Sequence, residues 1–504
     1  MNLYPYQDVA SETIEWRMTK EKQKFIFLDA PPGTGKTFIG RDLMERLGED
    51  WQAALYVCSS KALQRQFTED FPEVAVLYGR NNYPTEFEPT KTAADCLGRG
   101  CSWCDTCPYR VAKAKFLASP VQMTNISYFL YESNYVGMLK PYLLIIDEAD
   151  MLEKSLLDFA TLSLNERTLK YVYKIEPPIK KTVQASWVEW ARNAEIKIKD
   201  WLFEYERQLR AHPQNEDLTK KVDFLRTTAH KLGVLNDPEL GLASENWIYD
   251  GYKDNKIVFK PIHMGKLAQG LIWNKAEKVV LMSGTIISAR VMAESLGIED
   301  YEEVVLPAQF PVENRPVIAK PVVSVKKSTT DKEFKLISDE ISAIVERNAG
   351  RILVHTVSYY NAQRILAGIP KDLRKRFMTY ANSGEVDEVL KKYLRTEGAV
   401  LLAPSLSRGI SLEDDKCEVV IIAKVPYPYL GDKQIQARLY SQGGQAWYNI
   451  HTIREIVQMA GRGMRSKSDH CTTYILDGSF IELWRKTKMF FPPWFRESVE
   501  IVNK

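Results

Sequence analysis

The chain has 504 residues, of which 45% are hydrophobic and 26% charged, and 68 basic against 65 acidic side chains leave a net charge of +3. That length exceeds one hydrophobic core and implies about three or four domains. The near-neutral balance excludes a broadly basic nucleic-acid coat, and no stretch approaches the roughly 20 apolar residues of a membrane span, so any polyanion contact is a local groove. The opening MNLYPYQDVASETIEWRMTK lacks the basic-then-apolar pattern of a secretory signal, so a cytoplasmic setting with reduced thiols is expected.

In chain order, FIFLDA (25–30) reads as a buried strand, and FIGRDLMERL after it as a helix stopped by Gly48. Between them PPGTGKT makes a phosphate-binding loop, with Ala30 where the motif more often opens on glycine. Gly33, Thr34 and Gly35 bring backbone N–H groups close to phosphate oxygens, and the helix N-terminus adds its dipole. Lys36 would reach the β- and γ-phosphates, and the Thr37 hydroxyl would hold Mg²⁺. AALYVCSS (53–60) reads as a further strand and KALQRQFTEDF as a helix.

CLGRGCSWCDTC (96–107) then holds four of the chain's seven cysteines. In a reducing compartment such a cluster binds metal more often than it forms disulfides. The run Cys96-x4-Cys101-x2-Cys104-x2-Cys107, followed by Pro108, is similar to bacterial iron–sulfur ligation, while four thiolates also suit tetrahedral zinc. Residues 80–115 have little periodic hydrophobicity, so a metal cross-link would supply folding energy. Arg80, Arg99, Arg110, Lys113 and Lys115 interleave with Tyr83, Trp103 and Tyr109, a mixture that suits single-stranded nucleic acid. Cys58, Cys417 and Cys471 read as buried packing.

YLLII (142–146) is a strand that runs into DEAD (147–150) at its carboxyl end, where open α/β sheets place ligands. Asp147 would coordinate Mg²⁺, and Glu148 would orient and deprotonate an attacking water. The apolar positions of SWVEWARNAEIKIKDWLFEYERQL (186–209) share one helix face, HPQN turns the chain, and EDLTKKVDFLRTTAHKLGVL returns as a second helix. Its tryptophans read as hairpin packing rather than a base platform. KVVLMSGT (278–285) is another strand, and the proline-containing 306–321 reads as a linker.

A second strand–helix series follows: strands at 351–356, 399–405, 419–426 and 471–477, a helix opening on SYYNAQRILAGI, and another at 453–465. Two such series predict an α/β protein with two parallel-sheet lobes around a cleft. The second lobe offers QMAGRGMR, with Gln458, Arg462 and Arg465; these arginines read as fingers on a γ-phosphate, against the plainer reading of a basic helix end. His355, Thr356, Ser358, Tyr427 and Tyr429 stand at strand ends, where they could hold backbone phosphates or merely satisfy loop polarity.

Gln7, APPGTGKT, DEAD, MSGT and QMAGRGMR occur in the order seen in superfamily-two helicases. With the cysteine cluster before DEAD and a long insert after it, the chain resembles the XPD- and DinG-like iron–sulfur helicases. LYGRNNY, CPYR, TNISYFL and FPVENRP add family-like phrases. The resemblance implies two RecA-like lobes with an inserted cluster domain and a mostly helical arch. It also implies a 4Fe-4S cluster on the four cysteines, with zinc the alternative, and ATP with Mg²⁺ between the lobes. Gln7 would recognise adenine. The implied boundaries are lobe 1 at 1–79, 116–150 and 246–315, the cluster domain at 80–115, the arch at 151–245 and lobe 2 at 316–504.

The implied activity is ATP-dependent 5′→3′ translocation on single-stranded DNA with opening of forked duplexes, and a monomer is expected. The chain departs from the family at Arg408 and Ser411, where acids usually flank the glycine of SRGIS, at Asp150 in place of histidine, and at Pro84 and Thr85 in place of a cysteine after NNY. The alternatives are a translocase that displaces proteins but unwinds weakly, and a zinc-containing, ATP-gated nucleic-acid clamp.

Overall fold

The computed structural model describes residues 3–48, 53–85, 90–95, 106–137, 139–212, 215–250, 255–404, 417–463 and 469–502. The strands are β1 (Phe25–Asp29), β2 (Ala54–Cys58), β3 (Ala75–Val76), β4 (Val121–Asn125), β5 (Leu143–Asp147), β6 (Leu162–Asn165), β7 (Trp247–Tyr249), β8 (Lys256–Pro261), β9 (Lys278–Ser283), β10 (Glu302–Val305), β11 (Val317–Val323), β12 (Ile352–His355), β13 (Phe377–Met378), β14 (Val400–Ala403), β15 (Val419–Ile422), β16 (Thr472–Asp477) and β17 (Val499–Ile501).

Two seven-stranded parallel sheets dominate, ordered β10-β1-β9-β5-β2-β4-β3 and β13-β14-β12-β15-β16-β11-β17. Helices cover both faces of each sheet, so strands such as LLIID and VLLA are apolar at almost every position rather than alternating. This is the two-lobed α/β architecture expected from the sequence. In the first lobe β1, β9 and β5 are consecutive, which brings the phosphate loop after β1, the SGT turn after β9 and DEAD after β5 to one edge.

The stretch 306–321 is not simply a linker. Its second half enters β11, which pairs with both β16 and β17. Pro316 lies just before this strand and Pro321 within it, and these prolines hide its apolar residues from a reading based on breakers. The helix expected at 453–465 instead spans Gly444–Ala460 and starts after Gly443, whose φ is 73°.

The insert pairs helices Gln184–Ala211 and Glu216–Asn236, the latter capped by the Asn215 side chain accepting from the Leu218 N–H at 3.0 Å. Trp187 and Trp190 are buried against the neighbouring sheet; Trp187 lies 4.3 Å from the Tyr249 ring and donates its indole N–H to the Lys181 carbonyl at 2.8 Å. The tryptophan stripe is therefore packing. That small sheet, β6-β8-β7, is antiparallel, and it crosses the boundary expected at 245/246 because β8 pairs with β6 from the insert as well as with β7. Three- to six-residue strands this far apart leave no periodicity to read. Cys58, Cys417 and Cys471 are buried, as expected. No helix among the described residues is long and apolar enough to cross a membrane.

Leu225 is fully buried between the hairpin helices, whereas Phe203 is 69% exposed. Leu225→Ala should cost about 2–5 kcal/mol of hairpin stability. It should speed limited proteolysis within 184–236, while Phe203→Ala leaves the digestion pattern unchanged.

Candidate nucleotide site between the lobes

Gly33 and Gly35 both take φ of 74°, a region that L side chains rarely adopt. Crowding adds a second reason for glycine: a Cβ on Gly33 would lie 1.9 Å from Phe310 Cζ, and one on Gly35 would lie 2.3 Å from Gln7 Nε2. Phe310 thus lies against the phosphate loop, and Gln7 braces it. The Gln7 amide oxygen accepts from the Tyr4 N–H at 2.9 Å, and its nitrogen donates to the Thr34 carbonyl at 2.9 Å. Thr34 itself donates its hydroxyl to the Pro31 carbonyl at 2.7 Å. Gly35 is the N-cap of helix Lys36–Leu47, so Lys36 and Thr37 open that helix.

Thr37 and Asp147 come from motifs 110 residues apart (147 − 37), yet Tyr56 joins them. The Tyr56 hydroxyl donates to Asp147 Oδ2 at 2.8 Å and lies beside the Thr37 side chain. The Glu148 N–H donates to Asp147 Oδ1 at 2.9 Å. Burial raises the Asp147 pKa, opposed by the Lys36 charge and these bonds. Glu148 has φ of 52°, and this left-handed residue turns the chain from β5 into the 3₁₀ turn Ala149–Met151. Tyr56 was not identified from sequence, since an apolar strand does not reveal which cross-strand neighbour its one hydroxyl meets.

Asp150 points to the other lobe. Its Oδ1 accepts from the Ser283 hydroxyl at 2.8 Å and its Oδ2 from Gln458 Nε2 at 2.9 Å. Gln458 Nε2 also donates to Thr285 Oγ1 at 2.7 Å, while Arg454 reaches the carbonyls of Thr285 and Asp150 at 3.3 and 3.4 Å. Gln458, expected at the nucleotide, spends its amide nitrogen on this bridge. Arg454 was missed, although 454, 458 and 462 share one helix face by their spacing.

Arg462 follows Gly461 in a tight turn. A Cβ on Gly461 would lie 3.6 Å from Pro32 of the phosphate loop, and one on Gly463 would strike Cys471 Sγ at 2.4 Å. The turn is therefore wedged between the loop and the second sheet, and Arg462 stands near the cleft beside buried His355. Burial, helped by the Arg462 charge, lowers the His355 pKa to about 3, so this imidazole is neutral. Thr356 is buried, and Ser358 caps its helix by accepting from the Asn361 N–H at 3.2 Å. Tyr427 stacks on Tyr448, whereas Tyr429 is exposed.

Cys107 is half-buried at the start of helix Pro108–Ala118. The base of the cluster segment is tied to the first lobe by Lys113–Glu132 at 2.7 Å and by the Tyr109 and Tyr128 hydroxyls at 2.7 Å. Cys96, Cys101, Cys104, Arg99, Trp103, Arg408, Ser411 and Arg465 lie outside the described residues.

Asp29 ends β1 beside the loop; burial and Glu303 raise its pKa from 3.8 to about 7 against the pull of Lys36. A raised folded pKa gives stability that is full below 3.8 and lost as pH rises through about 7. The melting temperature of the native chain relative to Asp29→Asn should therefore fall across that interval; a constant difference would contradict the assignment.

The helicase C-terminal domain family model matches residues 341–498, and that of the type III restriction enzyme res subunit matches 1–154. ATP-dependent DNA helicase XPD of Sulfolobus acidocaldarius is 23% identical over 425 residues, covering 75% of this chain and 73% of that protein. A regulator of telomere elongation helicase 1 homolog of Caenorhabditis elegans is 29% identical over 119 residues, which span 20% of this chain and 12% of that protein. A solved XPD helicase matches over 100% of both chains with a TM-score of 0.67 at 17% identity, a likeness of fold. The two matched family models and the XPD relative aligned across most of both chains support an XPD/DinG-like superfamily-two helicase; that relative is itself named an ATP-dependent DNA helicase, and the solved structure shares its fold.

Proposed function

We propose that the protein is a DNA helicase that couples ATP hydrolysis in the interlobe cleft to 5′→3′ movement along single-stranded DNA. The observation that carries this reading is the bridge from Asp150 of DEAD to Gln458 of the second lobe, three residues beyond the buried Asp147. Phosphate-loop amides and Lys36 bind the β- and γ-phosphates. Glu148 orients the water that attacks the γ-phosphorus and takes its proton. Arg462 and Arg465 neutralise charge on the transferred group from the second lobe. Gln7 holds the loop and keeps one amide hydrogen for the adenine.

Thr37 and Asp147 fit Mg²⁺, being hard oxygen ligands brought together through Tyr56, and the ion when bound supplies charge neutralisation on the phosphates. ADP and phosphate leave with weaker contacts between the lobes, which reopen.

The four cysteines fit a 4Fe-4S cluster by donor chemistry and spacing, and the one described, Cys107, sits on a helix anchored to the first lobe. Cys96, Cys101, Cys104 and Cys107 would hold the cluster, which when bound supplies a rigid cross-link for a segment poor in apolar residues.

Single-stranded DNA should stimulate ATP hydrolysis, and Lys36→Ala should reduce the stimulated rate by roughly a hundredfold or more. A fork with a 5′ tail should open and one with a 3′ tail should not. The purified protein should be brown and contain iron, with Cys104→Ser removing the colour; zinc in a colourless protein would overturn the cluster assignment. Undiminished hydrolysis in Lys36→Ala would overturn the function. Arg408 and Ser411 favour a second reading, a protein-displacing translocase, which a displacement assay run beside the fork assay separates.

A further inference from the structure

Away from the nucleotide cleft, the first lobe and the helical insert enclose a second cavity of about 210 Å³. One wall is the turn Glu132–Val136, which winds as a π-helix; such turns are rare and recur at functional sites. Tyr135 stands on this turn, and its buried hydroxyl has no hydrogen-bond partner among the described residues. The rings of Phe159 and His230 lie 5.4 and 5.1 Å from that of Tyr135, giving the cavity an aromatic side.

Two lysines face the same space. The Lys231 ammonium donates to the Thr161 carbonyl at 2.7 Å and lies 5.8 Å from the Phe159 ring, which leaves two of its three N–H bonds. Lys275 lines the cavity from the first lobe. No carboxylate pairs with either lysine among the described residues. Burial pushes Lys231 down to about 8 and also lowers Lys275, which Lys140 lowers further; His230 is held down by burial and then by both cavity lysines. Two half-buried cations without a counter-charge, beside a phenol without an acceptor, amount to a set of donors for a multivalent anion.

We propose that this cavity binds a small phosphate monoester on an aromatic body, its phosphate held by Lys231, Lys275 and the Tyr135 hydroxyl and its ring against Phe159. A phosphate dianion offers three oxygens to these three donors. The aromatic side matches a flat apolar body.

Phenyl phosphate is the probe, titrated calorimetrically into the full chain with the nucleotide site filled by Mg·ADP. One saturable site per chain is expected, weakened about tenfold or more in Lys231→Met and in Lys275→Gln through loss of a charge-assisted hydrogen bond. Inorganic phosphate and phenol should each bind more weakly than phenyl phosphate. Should Lys231→Met fail to fold, Lys275→Gln carries the test, because Lys275 is only half-buried. No saturable binding, unchanged affinity in Lys275→Gln, or inorganic phosphate binding as tightly as phenyl phosphate would each overturn the proposal.

Discussion

The arrangement on which the rest depends is the division of labour within DEAD. Asp147 ends a buried strand and faces Tyr56, Thr37 and Lys36, while Asp150, one tight turn later, accepts from Ser283 of its own lobe and Gln458 of the other. The left-handed Glu148 makes this possible by breaking the strand direction between the two aspartates. Both carboxylates are buried, so neither tolerates loss of a partner without a desolvation cost. The phosphate end and the lobe boundary are thereby joined by one tight turn and a single side chain.

The boundary itself is polar and specific. Glu153 accepts from the Trp447 indole at 2.9 Å and pairs with Arg438 at 3.2 Å; Arg438 also donates to Ser295 Oγ at 2.9 Å and stacks over Trp447. Lys260 of β8 reaches Asp432 at 3.0 Å, so the small antiparallel sheet also touches the second lobe. Buried ion pairs add little net stability, because desolvation offsets most of their attraction. What they fix is register, since each pair is satisfied in one placement of the lobes.

Much of this was legible in the sequence. The strands before the phosphate loop, DEAD and SGT are apolar at nearly every position, as strands buried on both faces must be, and the motifs then fixed their carboxyl ends. The hairpin was legible from its helical periodicity. β11 was hidden by its prolines, and β6-β8-β7 by strands too short for any period. The site was legible as a set of residue types but not as a set of contacts. Nothing in ALYVC indicates that Tyr56 links Thr37 to Asp147, and nothing in MSGT indicates that Ser283 and Thr285 meet Asp150 and Gln458. Those relations exist only once the parallel order β1-β9-β5-β2 is formed.

The direct test of that coupling is a double-mutant cycle on DNA-stimulated ATP hydrolysis using Asp150→Asn, Gln458→Ala and the two combined. If the bridge transmits between the lobes, each single change slows turnover and the double is no slower than the worse single, a non-additivity of at least about 1.4 kcal/mol. Rate losses that simply multiply would show the two residues acting independently and would contradict the account.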